Sequence, residues 1–158
     1  MKKIALLLMA LVAGVTQADA QKYLTAGTEV PVVAVQDINA YDLKEGQMIE
    51  LATADDVKLE SGEIAIPKGS LVSARVRTSL KQRVLANQKK RLIIDVKEVK
   101  MPNGATVPLC NGVASFTTSK KTGDLEAAPL KYVSSQKLMI PTDYVIRAKV
   151  EVTQNISK

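Results

Sequence analysis

Hydrophobic and polar positions in this chain alternate with a period of two. Between Asp143 and Thr153, the residues Tyr144, Ile146, Ala148, Val150 and Val152 fall on one side. Val145, Arg147, Lys149, Glu151 and Thr153 fall on the other. Successive side chains of a strand point to opposite faces, so the pattern predicts a half-buried strand. Val72, Ala74 and Val76 against Ser73, Arg75 and Arg77 repeat it, as do Leu92, Ile94 and Val96 against Ile93, Asp95 and Lys97. Val30 to Ile38 and Met48 to Val57 also read as strands, with Pro31 suited to a strand end or edge.

Three turns punctuate these runs. Gly27-Thr-Glu-Val30, Gly69-Ser-Leu-Val72 and Gly104-Ala-Thr-Val107 each set a glycine three residues before a valine. The glycine accommodates the positive φ of a tight turn and the valine opens a strand. Pro67-Lys68-Gly69 and Pro102-Asn103-Gly104 strengthen two of them, since both residue types suit β-turns. Helical periodicity is weak throughout. Ser79 to Gln88 is the best candidate for a short helix, Lys120 to Ala128 reads as a long polar loop, and the residues after Thr153 read as a frayed end.

The expected fold is all-β: a small antiparallel barrel or sandwich of about seven to nine short strands, the number the alternating segments support. Its interior is expected to hold Val32, Ile49, Ile64, Ile66, Val72, Val76, Leu92, Ile94, Val96, Ile146, Val150 and Val152.

The first twenty residues belong to a different pattern. Lys2-Lys3 precede an apolar run from Ile4 to Val12, and Ala18-Asp19-Ala20 ends in a small-residue cleavage motif. This reads as a secretory signal peptide over residues 1–20, followed by one domain over 21–158. The run falls short of the roughly 20 apolar residues of a membrane span, so no transmembrane span is expected in the mature chain. The expected location is the periplasm or the outer membrane. Without Lys2, Lys3 and Asp19 the mature part keeps 20 basic and 15 acidic residues, a net charge of +5. With few aromatic side chains, that modest excess does not point to nucleic acid.

Candidate chemistry is sparse. The chain has no histidine, the commonest general base and metal ligand. Cys110 is its one cysteine, so no intramolecular disulfide forms. Its apolar neighbours Leu109 and Val113 predict a small core side chain rather than a reactive thiol. Lys121-Thr-Gly123 and Ser134-Ser-Gln-Lys137 match elements of penicillin-interacting serine enzymes, but in reversed order. They read as loop segments rich in Ser, Thr and Lys. Asp55, Asp56, Glu60 and Glu63 lack the loop spacing that hard cations use. No catalytic residue, metal or cofactor is expected.

Charge is segregated along the chain. Arg75 to Arg91 holds Arg75, Arg77, Lys81, Arg83, Lys89, Lys90 and Arg91 and no acid. Asp37 to Glu63 holds eight acids and two lysines. The basic stretch is the candidate face for an anionic glycan, a lipid or an acidic protein; the alternative is mutual compensation of two solvated segments.

Taken in order, several turn motifs carry a likeness. They are Leu24-Thr-Ala-Gly-Thr-Glu-Val-Pro31, Ile38-Asn-Ala40, Glu45-Gly-Gln-Met48, Ala54-Asp-Asp-Val57, Ile64-Ala-Ile-Pro-Lys-Gly-Ser70 and Met101-Pro-Asn-Gly-Ala-Thr-Val-Pro-Leu109. This order resembles the C-terminal β-barrel domain of the scaffold that bridges the two membranes in conjugation and type IV secretion, and of its smaller conjugative-transposon relatives. The likeness spans Leu24 to Leu109. It differs in lacking a long amphipathic helix of the kind that forms that family's outer-membrane pore. What the resemblance implies is a barrel with a structural, non-enzymatic role. Its expected partner is an envelope protein or a second copy, joined through an exposed strand edge.

Overall fold

A computed structural model describes residues 21–81, 90–118, 128–134 and 137–157. The expected signal peptide at 1–20, most of the expected helix at Ser79–Gln88 and the Lys121-Thr-Gly123 motif lie outside the described residues. Ser79 to Lys81 are not helical; Leu80 and Lys81 form a turn.

The described chain is built of strands. The first five are β1 (Tyr23–Leu24), β2 (Glu29–Val33), β3 (Met48–Thr53), β4 (Val57–Lys58) and β5 (Ile64–Ile66). Next come β6 (Leu71–Thr78), β7 (Arg91–Lys100), β8 (Thr106–Cys110), β9 (Val113–Thr117) and β10 (Ala128–Pro129). The last are β11 (Lys131–Ser134), β12 (Lys137–Met139), β13 (Ile146–Val150) and β14 (Gln154–Asn155). A single 3-10 turn at Ala40–Asp42 is the one helical element among the described residues.

Six strands close into a barrel. β2 pairs with β3, β3 with β6, β6 with β7, β7 with β8, β8 with β13, and β13 returns to β2, all antiparallel. The ten-residue β7 borders two partners on its second side. Glu98–Lys100 pair with β8, and Arg91–Asp95 pair with β9. The β8–β9 segment therefore follows β7 along its length and bends at Asn111-Gly112. There Gly112 is required by crowding. A Cβ on it would lie 2.7 Å from the Cβ of Ala148 and 2.8 Å from that of Val96. β10 extends β9 in parallel, while β1–β14, β4–β5 and β11–β12 form separate two-stranded ribbons.

Inward positions follow the predicted alternation. Val30 and Val32, Ile49 and Leu51, Val72, Ala74 and Val76, and Leu92, Ile94 and Val96 are buried. Leu109, Phe116, Ile146, Ala148 and Val150 join them in one cluster. Each fully buried Val, Leu, Ile or Phe side chain contributes about 1.5–3 kcal/mol relative to exposure. Tyr144 packs edge-on against Phe116, with ring centroids 5.2 Å apart.

Ten of the twelve expected core residues are buried, and two are not. Ile64 is 48% exposed and Val152 is 55% exposed. Both lie where local order ends. Ile64 begins a short strand, leaving Ala65 and Ile66 to face inward. β13 stops at Val150, and Val152 lies in the bend beyond it. The expected strands from Val30 and Met48 also end early, at Val33 and Thr53. The chain end is not frayed: Gln154 and Asn155 pair with Leu24 and Tyr23, and the Ile156 amide donates to the Lys22 carbonyl at 2.7 Å.

The corner between β5 and β6 follows the Pro-Lys-Gly reading. Gly69 has φ +82°. Thr53, almost wholly buried, donates its hydroxyl to the Pro67 carbonyl at 2.8 Å and accepts from the Ser70 amide at 2.9 Å. The Asp56 carboxylate accepts from the Lys68 amide at 2.7 Å. One buried hydroxyl thus ties β3 to the turn.

Candidate functional site

β6 and β7 form the longest ribbon of the barrel, and it carries the basic residues. Arg75 and Arg77 alternate with buried Ala74 and Val76, so both face outward. Lys81 and Lys90 are exposed and Arg91 is half-buried; Arg83 and Lys89 lie outside the described residues. Of the seven basic residues marked from the sequence, Arg75 and Arg77 line a common cleft of about 600 Å³. Glu45, Gly46, Asp95 and Lys97 complete its polar wall. The terminal Nη2 of Arg75 lies 3.7 Å from where a Cβ on Gly46 would stand, so the guanidinium reaches over the Glu45-Gly46 turn.

Two irregularities in the β6–β7 ladder shape this cleft. Val76 pairs with Ile94 and Thr78 with Ile93, leaving Arg77 as an extra residue. Ala74 pairs with Val96 and Ser73 with Glu98, leaving Lys97 as an extra residue. Bulges of this kind re-aim side chains. Both released cations end on one carboxylate: Lys97 Nζ is 2.6 Å and Arg77 Nη2 3.0 Å from Asp95 Oδ2. Partial burial works against the charged form of Asp95. Hydrogen bonds from Lys97 and Arg77, with their positive charges, outweigh it and hold the carboxyl below its ordinary value.

Register places a row of outward side chains across the sheet. Met48 on β3 pairs with Arg75 on β6, Arg75 with Asp95 on β7, and Asp95 with Val113 on β9. Lys97, Met48 and Val113 were not marked from the sequence. Lys97 shares the outward face of Asp95 in the alternation itself, whereas Met48 and Val113 owe their places to long-range register, which leaves no local signature.

The other sequence candidates fall apart in space. Ser134 and Lys137 are register partners closing the β11–β12 hairpin, both exposed. Glu63 pairs with Lys22 at 2.6 Å, and Asp56 caps the Pro67–Gly69 turn. Cys110 is not a core side chain. It is half-buried beside inward Leu109 and takes the outward position opposite Lys149, where β8 meets β13.

β11 differs from the barrel strands. All four of its residues are exposed, including Tyr132 and Val133. Its one ladder partner among the described residues is β12. Among the described residues no helix is long and apolar enough to cross a membrane. Compared with known proteins, the chain matches no family model and no curated sequence.

Proposed function

We propose that this chain is a non-enzymatic, exported protein of a Gram-negative-type cell envelope, acting as a scaffold or protein-interaction module in the periplasm or at the outer membrane. The turn motifs shared with the barrel domain of conjugation and type IV secretion scaffolds support a role of that kind.

Strand β11 is the observation that carries the reading. The barrel strands pair on both sides, which removes the edges on which sheets associate. Among the described residues β11 has a ladder partner on one side alone, β12, and its side chains are exposed, Val133 among them. A strand with an unpaired edge is a ready template for an added strand, with backbone hydrogen bonds giving affinity and alternate side chains giving selectivity.

The test is photo-cross-linking in intact cells with a cross-linking residue at position 133. The expected product is a covalent complex with an envelope protein or a second copy, reduced when Lys131→Pro removes the ladder donor opposite Met139 and disrupts the β11–β12 ribbon. Recovery of monomer alone would reject the module role.

A further inference from the structure

We infer that the row Met48–Arg75–Asp95–Val113 is a docking site for an acidic segment of a partner protein, one carboxylate set between apolar residues. This deepens the interaction-module reading and rests on it, while placing a second contact away from β11.

The centre of the row has the chemistry to bind a carboxylate. Arg77 and Lys97 already hold one, that of Asp95. Arg75 is the register partner of Asp95 but forms no ion pair with it; its head reaches over Gly46 in the open cleft. A planar guanidinium offers two parallel donors to an incoming carboxylate. The lining holds three cations, Arg75, Arg77 and Lys97, against two acids, Asp95 and Glu45. The excess is one positive charge, which matches one carboxylate rather than a doubly charged phosphate.

The flanks select a peptide over a bare anion. Met48 is 54% exposed and Val113 46% exposed, one at each end of the row. Neither contributes to holding a headgroup or inorganic phosphate. Both suit apolar side chains on either side of an acid, and Met and Arg are enriched at protein interfaces. Four strands spaced about 4.8 Å apart make the row about 14 Å long, the reach of some four or five extended residues.

The experiment titrates isotopically labelled protein with the blocked pentapeptide Leu-Ser-Glu-Ser-Leu and follows amide resonances. The expected result is a saturable shift at Met48, Arg75 and Val113 at millimolar peptide. Affinity should fall about fivefold or more when Gln replaces the peptide's Glu, or in Arg75→Gln protein, as for loss of a charge-assisted hydrogen bond. Unchanged Val72 and Val96 resonances show that the variant is folded. No shift at the row, an equal response to the Gln peptide, or shifts confined elsewhere would overturn the inference. Tighter binding of inorganic phosphate or of anionic phospholipid vesicles at the same amides would overturn it in favour of a bare-anion site. Cross-linking at position 133 reports on the β11 contact separately. Cross-linking there with no peptide response sinks only this inference; a peptide response with only monomer in cells sinks the β11 reading.

Discussion

At the level of single residues, two polar side chains hold the ribbon that carries the candidate site. Thr53 is buried with both its hydrogen-bonding roles filled at the Pro67–Ser70 turn. Thr53→Val keeps the shape and removes both bonds, leaving the Ser70 amide its longer bond to the Pro67 carbonyl at 3.2 Å. The expected loss is about 0.5–1.5 kcal/mol, the net worth of a typical intramolecular hydrogen bond, read from urea midpoints at constant m. Asp95 acts through its charge. Its carboxyl titrates below the ordinary 3.8 in the folded protein. Its contribution is therefore complete above the unfolded value and fades as pH falls through 3.8 toward the lowered folded value. Its partners are largely solvated, so Asp95→Asn should cost no more than about 1 kcal/mol at pH 7. The gap between the two proteins should close toward pH 2 in thermal melts; a gap that persists there would show that the carboxylate's charge is not the cause.

At the level of elements, the alternation of apolar and polar positions decides which face of each strand is buried, and Val72–Ala74–Val76 or Leu92–Ile94–Val96 can be read directly from it. Which strands meet cannot. Pairing of β8 with β13 joins residues some forty positions apart, and no local propensity encodes that register. The same holds for the candidate site. Arg75, Arg77, Asp95 and Lys97 were legible as outward residues, whereas the register that sets Arg75 beside Asp95, and Met48 and Val113 at the ends of the row, was not. Gly112 shows the difference most sharply. In sequence it is one more turn residue, but in the barrel it lets β7 and β13 approach. Gly112→Ala would press a methyl group on the Cβ atoms of Ala148 and Val96, so a loss of about 1–3 kcal/mol is expected from overpacking. Ala148→Gly added to it should restore part of that loss. Strictly additive losses in the double mutant would place the strain elsewhere.

For the whole molecule, the question is how a barrel made of unequal seams opens. Along β6–β7 six residue pairs are in register, and along β3–β6 five. The β8–β13 seam has two pairs, Lys149–Cys110 and Val150–Leu109, extended by the Glu151 amide donating to the Pro108 carbonyl at 3.0 Å. It also depends on the late strand β13, itself held by the Gly27 amide donating to the Val150 carbonyl at 2.8 Å and by the β1–β14 pairing of the chain ends. Its two pairs are as few as in any seam of the barrel. β2–β3 also has two, but joins residues only about twenty positions apart, so the β8–β13 seam has the larger loop-closure cost of the two. The seam should therefore open in a subglobal step while β3, β6 and β7 stay intact. Native-state hydrogen exchange reads this directly. The Glu151 amide should exchange roughly tenfold or more faster than that of Val96, with little dependence on added denaturant, because a local opening exposes little surface. The Val96 amide, bonded to the Gly112 carbonyl at 2.8 Å, should track global unfolding. Equal protection at the two positions, with equal denaturant dependence, would mean that the barrel opens only as a unit. In that case the chain ends and the β6–β7 ribbon are energetically one structure, and a partner on β11 and a partner on the Arg75 row would bind the same rigid body.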